Sequence, residues 1–541
     1  MSAPKSKRLF RIISGTCFAL VFALYCSAIN PELGDLSGDS ARYLLLAKSI
    51  SLGKGFREIE KPGDPPHLEY MPGLPLLLAP LVHFRPDHLR PMKFLIAASA
   101  FCSVVFFYFF LSRLPKPAAL LVALCFGLLP FMLSFQTVIL ADLPHLAFLL
   151  LAFYYFEKTR DASDQKIGCW IFAGTLTALA FYFRQIALIA FASGLVVILV
   201  DKNLRKLKIF FGYGLGFLLP ASIWYLRNIL VAGSIEPSYG KKLFYAKASD
   251  PFASTLDALG LAERIFRRVE FFSLGLSKDM LLGLHGRFFS ALWILLLIFL
   301  LVGLGRELVR RKNIAAIFFI PYLAAVASWE GWVPRYLLPL LPLALFFIFQ
   351  GFSFAASMVT RRKTAGKWIV AQIFVLWLAL SLVRGAAMVH FQHTPLPYPP
   401  DSAVNEKEAL ALLGPKNFTF YPDAFEWNKK GAQYLSAKSA AYYHFFAMAE
   451  WAKKNLKPDE VVVCRKPTLF AWQSRGKSVQ YPPELDVDKF LDEVKKRGGG
   501  YIIIEEISPE LRPILFSFRE SRPERLKPAV QIGETYLLEL D

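Results

Sequence analysis

Residues 9 to 43 read LFRIISGTCFALVFALYCSAINPELGDLSGDSARY. The stretch carries an apolar run long enough to cross the hydrocarbon core of a bilayer, with Lys5, Lys7, Arg8 and Arg11 at its start and Asn30 near its end. The chain then turns at Pro31 and presents Asp39, within Gly38-Asp39-Ser40-Ala41-Arg42-Tyr43, at the rim of that helix. An ionisable group so placed is a functional-site candidate before it is anything else. No clear small-x-small cleavage site precedes Pro31, so the run reads as a retained anchor and not as a signal peptide.

The apolar run recurs. Spans near residues 9–29, 91–112, 117–136, 143–157, 167–183, 186–200, 209–231, 288–305, 313–329, 336–358 and 368–389 predict a polytopic α-helical membrane protein with about 11 transmembrane helices. The chain is 55% hydrophobic and 15% aromatic, more apolar surface than a soluble domain buries. Residues 1–389 hold 41 Lys+Arg against 21 Asp+Glu, whereas residues 390–541 hold 21 of each. The basic excess thus sits in short runs between spans, which is the positive-inside pattern and argues against nucleic acid as a partner. Arg113 and Lys116, Lys158 to Lys166, Lys202 to Lys208, Arg306 to Lys312, and Arg361 to Lys367 all fall on the side of the N-terminus. That sorting predicts a multi-pass protein with a cytoplasmic N-terminus and an extracytoplasmic C-terminus. Facing outward would be loops 30–90 and 232–286, the links near 137–142 and 330–335, and the tail from 390.

Gly73 to Phe84 is apolar but too short to span and contains Pro75 and Pro80, which predicts an interfacial or re-entrant segment. After the Pro-rich stretch Thr394 to Pro400 the composition becomes globular. Helical periodicity over Ala440 to Asn455 and Val487 to Arg497, with strand-like Glu460 to Cys464 and Tyr501 to Ile504, predicts a small α/β domain. The six cysteines build neither a disulfide framework nor a metal motif, and the histidines (His67, His83, His88 and His145 among them) are scattered.

Placed on a helix, Asp39 and Tyr43 share one face, although Ser37 or Asp39 would serve equally as an N-cap. Asp142 opens a helix, where capping is again the plain alternative. Arg184 lies in a tight outward link, able to pair with Asp39 or Asp142. Arg227, Arg335, Lys48, Lys54, Arg57 and Lys61 are outward cations, each of which could instead be an interfacial charge that snorkels. Tyr70, Trp329 and Trp332 suit an interfacial aromatic belt as well as a sugar platform.

Four segments together resemble the GT-C glycosyltransferases: Gly38-Asp39 with Tyr43; Tyr70-Met71-Pro72-Gly73-Leu74-Pro75; Pro220 to Asn228 ahead of Gly233; and Pro334-Arg335-Tyr336-Leu337-Leu338-Pro339. The branch is that of the lipid A aminoarabinose and galacturonic acid transferases and the protein O-mannosyltransferases, and the resemblance covers about residues 9–389. It implies a GT-C fold for residues 1–389, followed by an extracytoplasmic or periplasmic α/β domain over 390–541, in the plasma (inner) membrane. It also implies transfer of a sugar from a polyprenyl-phosphate carrier on the outer face, in the synthesis of lipopolysaccharide or another envelope glycan. Asp39 would be the general base and Asp142 a second acid that orients the acceptor or a metal. Arg335, Arg227, Lys48, Lys54, Arg57 and Lys61 would hold the departing phosphate, and Tyr43, Tyr70, Arg184, Trp332 and Tyr336 would line the pocket. A divalent cation held by carboxylates is the one cofactor left open. Protein mannosyltransferases carry Asp-Glu in the first loop, whereas Ser40 follows Asp39 here, which favours a lipid or glycan acceptor over a protein. The rival reading is a transporter or flippase for a lipid-linked sugar, expected to show inverted repeats and broken helices at the bilayer midplane.

Overall fold

The computed structural model describes residues 3–31, 33, 37–86, 88–163, 165–204, 207–233, 255–272, 280–281, 287–329, 334–359, 363–393, 441–507 and 511–541. The Pro-rich stretch from Thr394, Trp332 and most of loop 232–286 lie outside these residues. Among the described residues eleven helical spans form the membrane part. Six helices among the described residues are long and apolar enough to cross a membrane by themselves: those within Lys7–Ser27, Leu89–Arg113, Leu207–Ala232, Ala291–Arg311, Leu340–Met358 and Trp368–Ala387. Asp142–Asp161 and the shorter apolar helices Lys116–Gly127, Ile167–Phe183, Gln185–Val200 and Ile314–Ser328 make up the other spans.

Two expected spans are interrupted, in each case by proline. The run 117–136 stops at Gly127 and restarts as Pro130–Ser134, because the residue ahead of a proline is driven out of the helical region; Leu129 is extended at φ −56°, ψ 131°. The run 336–358 opens with a short 3-10 turn, Pro334–Leu337, and becomes α-helical only at Leu340, past Pro339. Helices Ile167–Phe183 and Leu207–Ala232 cross closely enough that a Cβ at Gly174 or Gly216 would strike backbone carbonyls of the other helix. Glycine is required there by contact with a neighbouring main chain.

The basic links meet at one end of the bundle. Arg113 pairs with Glu157 at 2.9 Å and Asp161 at 2.5 Å, and Arg160 with Asp201 at 2.7 Å. Arg160 also donates to the carbonyls of Arg311 and Lys312, and Lys312 to that of Val200. Four of the links that charge sorting put on one side, those at Arg113, Arg160, Asp201 and Lys312, are therefore neighbours. Asp39, Asp142, Arg184, Arg227 and Arg335 gather at the opposite end.

Between the first two spans, helices Asp39–Ser51 and Gly73–Phe84 pack together, the second also lying against Ile167–Phe183. The turn between them is tied by Arg42, which bonds Glu58 at 2.7 Å and Glu60 at 2.8 Å.

The C-terminal part is a five-stranded sheet made of β1 (Val461–Val463), β2 (Lys477–Val479), β3 (Gly499–Ile504), β4 (Leu526–Ile532) and β5 (Thr535–Leu540), in spatial order β2-β1-β3-β5-β4. The first three strands are parallel, joined by helices Pro467–Ser474 and Val487–Lys496, and β5 pairs antiparallel with β3 and β4. All three residues of β1 are buried, as expected of a parallel strand covered on both faces. The domain sits on the first loop through main-chain contacts: Lys477 Nζ donates to the carbonyls of Ile59 (2.7 Å) and Lys61 (3.0 Å), and the Ser478 amide to that of Glu60 (2.8 Å).

Burial pushes the Glu505 carboxyl in this domain up to about 8, although it accepts the Arg465 amide at 3.0 Å. Its folded pKa lies above the ordinary 4.5, so the stability it contributes as a neutral group is complete below that value and is lost as pH rises through about 8. Glu505→Gln is expected to stabilise the protein at pH 9 by on the order of 3 kcal/mol and to leave it unchanged at pH 4, as read by thermal unfolding at both pH values.

Candidate active site

Asp39 is the first residue of its helix, and the capping alternative does not describe it. The N-cap is Gly38, at φ 96°, with no side-chain cap bond. The Asp39 carboxylate turns instead to two other partners: Oδ1 accepts the Tyr70 hydroxyl at 2.6 Å, and Oδ2 pairs with the Arg335 guanidinium. Burial alone would raise its pKa. The Arg335 charge, the hydrogen bonds from Tyr70 and Arg335, and the Arg184 charge together outweigh that and hold the carboxyl below its ordinary value. Asp39 is therefore an anion at neutral pH.

Ser40 faces away from Asp39. It is fully buried, and its hydroxyl accepts the Ile139 amide at 3.1 Å. A glutamate here would be driven into the bundle, which explains in packing terms why this chain has no second acid beside Asp39.

Arg335 and Arg184 approach one aromatic ring. Their guanidinium carbons stand 5.5 and 5.0 Å from the centre of Tyr336, within cation–π range. Arg184 is extended at φ −150°, between helix Ile167–Phe183 and the 3-10 turn Gln185–Ala187, and is fixed from behind by Asp142, 2.8 Å away and only 3% exposed. The Asp142 carboxylate therefore serves as counter-ion to Arg184. The Nε–H of Arg184 is buried without a hydrogen-bond partner among the described residues.

The first loop is built to hold Tyr70. Its amide donates to Nε2 of His67 at 2.7 Å, and Nδ1 of His67 lies 2.9 Å from Glu58, which fixes the tautomer with the proton on Nδ1. The contact with His67 and the charges of Arg42 and Lys61 outweigh burial and hold Glu58 down at about 2. His67 is thus a buried spacer with both ring nitrogens used. Arg227 closes the loop from the bundle side, donating to the carbonyls of His67 (2.6 Å) and Phe56 (2.9 Å) between the rings of Phe56 and Trp224.

These groups frame a cavity of about 380 Å³. Asp39, Glu69, Arg184 and Arg335 line its polar part. Ile186, Leu188, Ile189, Ala325 and Val326, from helices Leu188–Val200 and Ile314–Ser328 and the turn before them, line its apolar part. Of the residues singled out from sequence, the cavity brings together Asp39, Tyr43, Tyr70, Arg184, Trp329, Arg335 and Tyr336. Asp142 stands behind Arg184. Lys48, Lys54, Arg57, Lys61 and Arg227 are not on the cavity wall: Lys54 pairs with Asp64 at 2.7 Å, Arg57 donates to the Asp64 carbonyl, Lys61 pairs with Glu58, and Lys48 lies in the last turn of helix Asp39–Ser51. Trp332 lies outside the described residues. Glu69, Gln185 and Tyr322 line the cavity without having been singled out as site residues; Glu69 was adjacent to Tyr70 and Gln185 to Arg184, so their neighbours were the available signal.

Among the described residues no group of three or more His, Cys, Asp or Glu could hold a metal ion. The cavity offers the carboxylates of Asp39 and Glu69, and the first is engaged by Arg335 and Tyr70. This donor set does not fit a metal site built by the protein alone.

Among the described residues, eleven helical spans, the short helices Asp39–Ser51 and Gly73–Phe84 and a terminal α/β domain give an ArnT-like GT-C fold. Residues 71–225 match the profile of the dolichyl-phosphate-mannose-protein mannosyltransferase family. The chain superposes on ArnT from Cupriavidus metallidurans, solved with undecaprenyl phosphate, with a TM-score of 0.57 at 10% identity, covering 99% of this chain and 98% of that one. It superposes on the oligosaccharyltransferase AglB from Archaeoglobus fulgidus, solved with an inhibitory peptide and a dolichol-phosphate, with a TM-score of 0.53 at 10% identity, covering 91% and 69%. At that identity the likeness is one of fold. No curated protein sequence matches the chain.

Proposed function

We propose that this chain is a glycosyltransferase that moves a sugar from a polyprenyl-phosphate carrier to a hydroxyl of a lipid or glycan acceptor, with Asp39 as general base. The observation that carries the reading is the make-up of the cavity, where a carboxylate and two arginines share a space walled on another side by the apolar faces of two membrane helices. An anionic headgroup with a long isoprenoid tail is complementary to both parts. In the proposed step the acceptor O–H gives its proton to Asp39 as its oxygen attacks the anomeric carbon. The bond from that carbon to the phosphate oxygen breaks, and the electron pair leaves on the phosphate, where Arg335 and Arg184 stabilise the charge. A single displacement inverts the sugar carbon.

Arg184 offers a fixed cation because Asp142 holds it, so Asp142 is a positioning residue. The transporter reading is less well supported, since the ionisable groups of the site lie at helix ends and in the first loop. Mass spectrometry of lipids and surface glycans from cells with and without the gene tests the proposal. A glycan lacking one sugar, restored by the wild-type gene, is the expected result; identical profiles would count against transfer.

For the membrane arrangement, the site end is proposed to face outward and the basic end inward. In a cysteine-free background, a membrane-impermeant maleimide added from outside is expected to label Lys496→Cys and to spare Lys202→Cys. Labelling of position 202 instead would invert the orientation.

A further inference from the structure

The two arginines of the cavity are held differently, and the difference has a mechanistic meaning. The partner of Arg184 is Asp142, which is buried behind it and off the cavity wall. An incoming phosphate can use the remaining donors of Arg184 without disturbing that pair. Arg335 is paired with Asp39, and both line the same cavity, with side chains 15% and 24% exposed. A phosphate that engages Arg335 must share it with Asp39 or take it away. The carboxylate would still keep the Tyr70 hydroxyl on Oδ1, so it would be held in place after Arg335 leaves.

We infer that Arg335 exchanges partners when donor binds: it masks Asp39 in the empty site and passes to the donor phosphate, so that the base is released only when a lipid-linked phosphate occupies the site. The inference rests on the donor class proposed above and adds an order to it. A carboxylate paired with a guanidinium is a poor proton acceptor, because protonation would forfeit the ion pair. Transferring the cation to the phosphate makes Asp39 more basic and strengthens the leaving group in the same movement. Tyr70, held at its amide by His67, becomes a positioning residue for the unmasked carboxylate, and Tyr336 gives the guanidinium of Arg335 a surface to remain against as it changes partner.

The exchange predicts that donor phosphate and Asp39 compete for one cation, which is measurable without knowing the sugar. Binding of a polyprenyl monophosphate to the purified full-length protein in nanodiscs is measured for wild type, Asp39→Asn, Arg335→Gln and the double variant. Asp39→Asn is expected to bind about tenfold tighter than wild type, and in the Arg335→Gln background the same substitution is expected to gain less than twofold. Tyr70→Phe, which leaves Asp39 leaning more on Arg335, is expected to weaken binding about two- to threefold, opposite in direction to Asp39→Asn; a general disturbance of the site would weaken both. An equal gain from Asp39→Asn in both backgrounds would mean simple charge repulsion and would overturn the exchange, as would no gain in either. A wild-type protein that does not bind the monophosphate at all would overturn both the exchange and the donor class.

Discussion

Asp39→Asn is expected to lower the rate of sugar transfer by roughly 10³-fold while the protein remains folded, the loss associated with removing a general base. The amide is close in shape to the carboxylate, and its oxygen still accepts the Tyr70 hydroxyl that reaches Oδ1 at 2.6 Å. What it lacks is a site for the acceptor's proton. Asp39→Glu separates charge from placement: the carboxylate is kept but moved by one methylene, away from a position fixed on both oxygens. An intermediate loss, on the order of 10- to 100-fold, is expected. Both rates are measured in proteoliposomes with a lipid-linked donor, by mass spectrometry of the product. An Asn variant within tenfold of wild type would remove Asp39 from the role of base.

Arg184→Ala is expected to have two effects. It removes a cation from the cavity, lowering transfer about 10²-fold or more, and it leaves Asp142, 3% exposed, without its counter-charge. Stripping one partner from a buried ion pair costs about 3–5 kcal/mol, enough to lower the thermal midpoint visibly. The double variant Asp142→Asn/Arg184→Gln, which removes both charges and keeps the polar atoms, is expected to recover most of the stability and none of the transfer. If the double variant also recovered transfer, Arg184 would be a structural strut only.

Much of this was legible in the sequence because it follows from local rules. Spans of membrane length, basic links and an acid after the first span gave the helices and grouped Asp39, Arg184 and Arg335 at one end. The β1 and β3 strands were readable as short β-branched runs. What stayed hidden was set by tertiary pairing. Arg335, between Trp332 and Tyr336, stood out from Lys54 and Lys61, but its carboxylate partner lies 296 residues away and had no local mark, whereas theirs lie within their own loop. Asp142 and Asp39 both read as acids opening a helix; that one backs an arginine and the other faces the cavity depends on which side of Arg184 each lies. The chemistry of Ser40 was likewise settled by a distant amide, that of Ile139. Pro130 and Pro339 break runs whose apolar length alone suggests one continuous helix.

The site is also assembled from distant parts of the chain. Asp39 and Arg335 are 296 residues apart, and Gly38, whose left-handed backbone begins the helix, accepts the Thr468 hydroxyl at 3.3 Å across 430 residues. A ribosome that has made Asp39 must insert eight further spans before Arg335 emerges, and the contact from Thr468 follows only after the last span. A chain stopped anywhere in between would carry an acid without its cation, or a pair without the domain that seats their helix. Long-range closure of this kind is slow to form. On the proposed function, its consequence is a quality check in biogenesis: the acid, its cation and the domain that seats their helix come together only once the whole chain has been made, so truncated products of translation would be inert toward lipid-linked sugars.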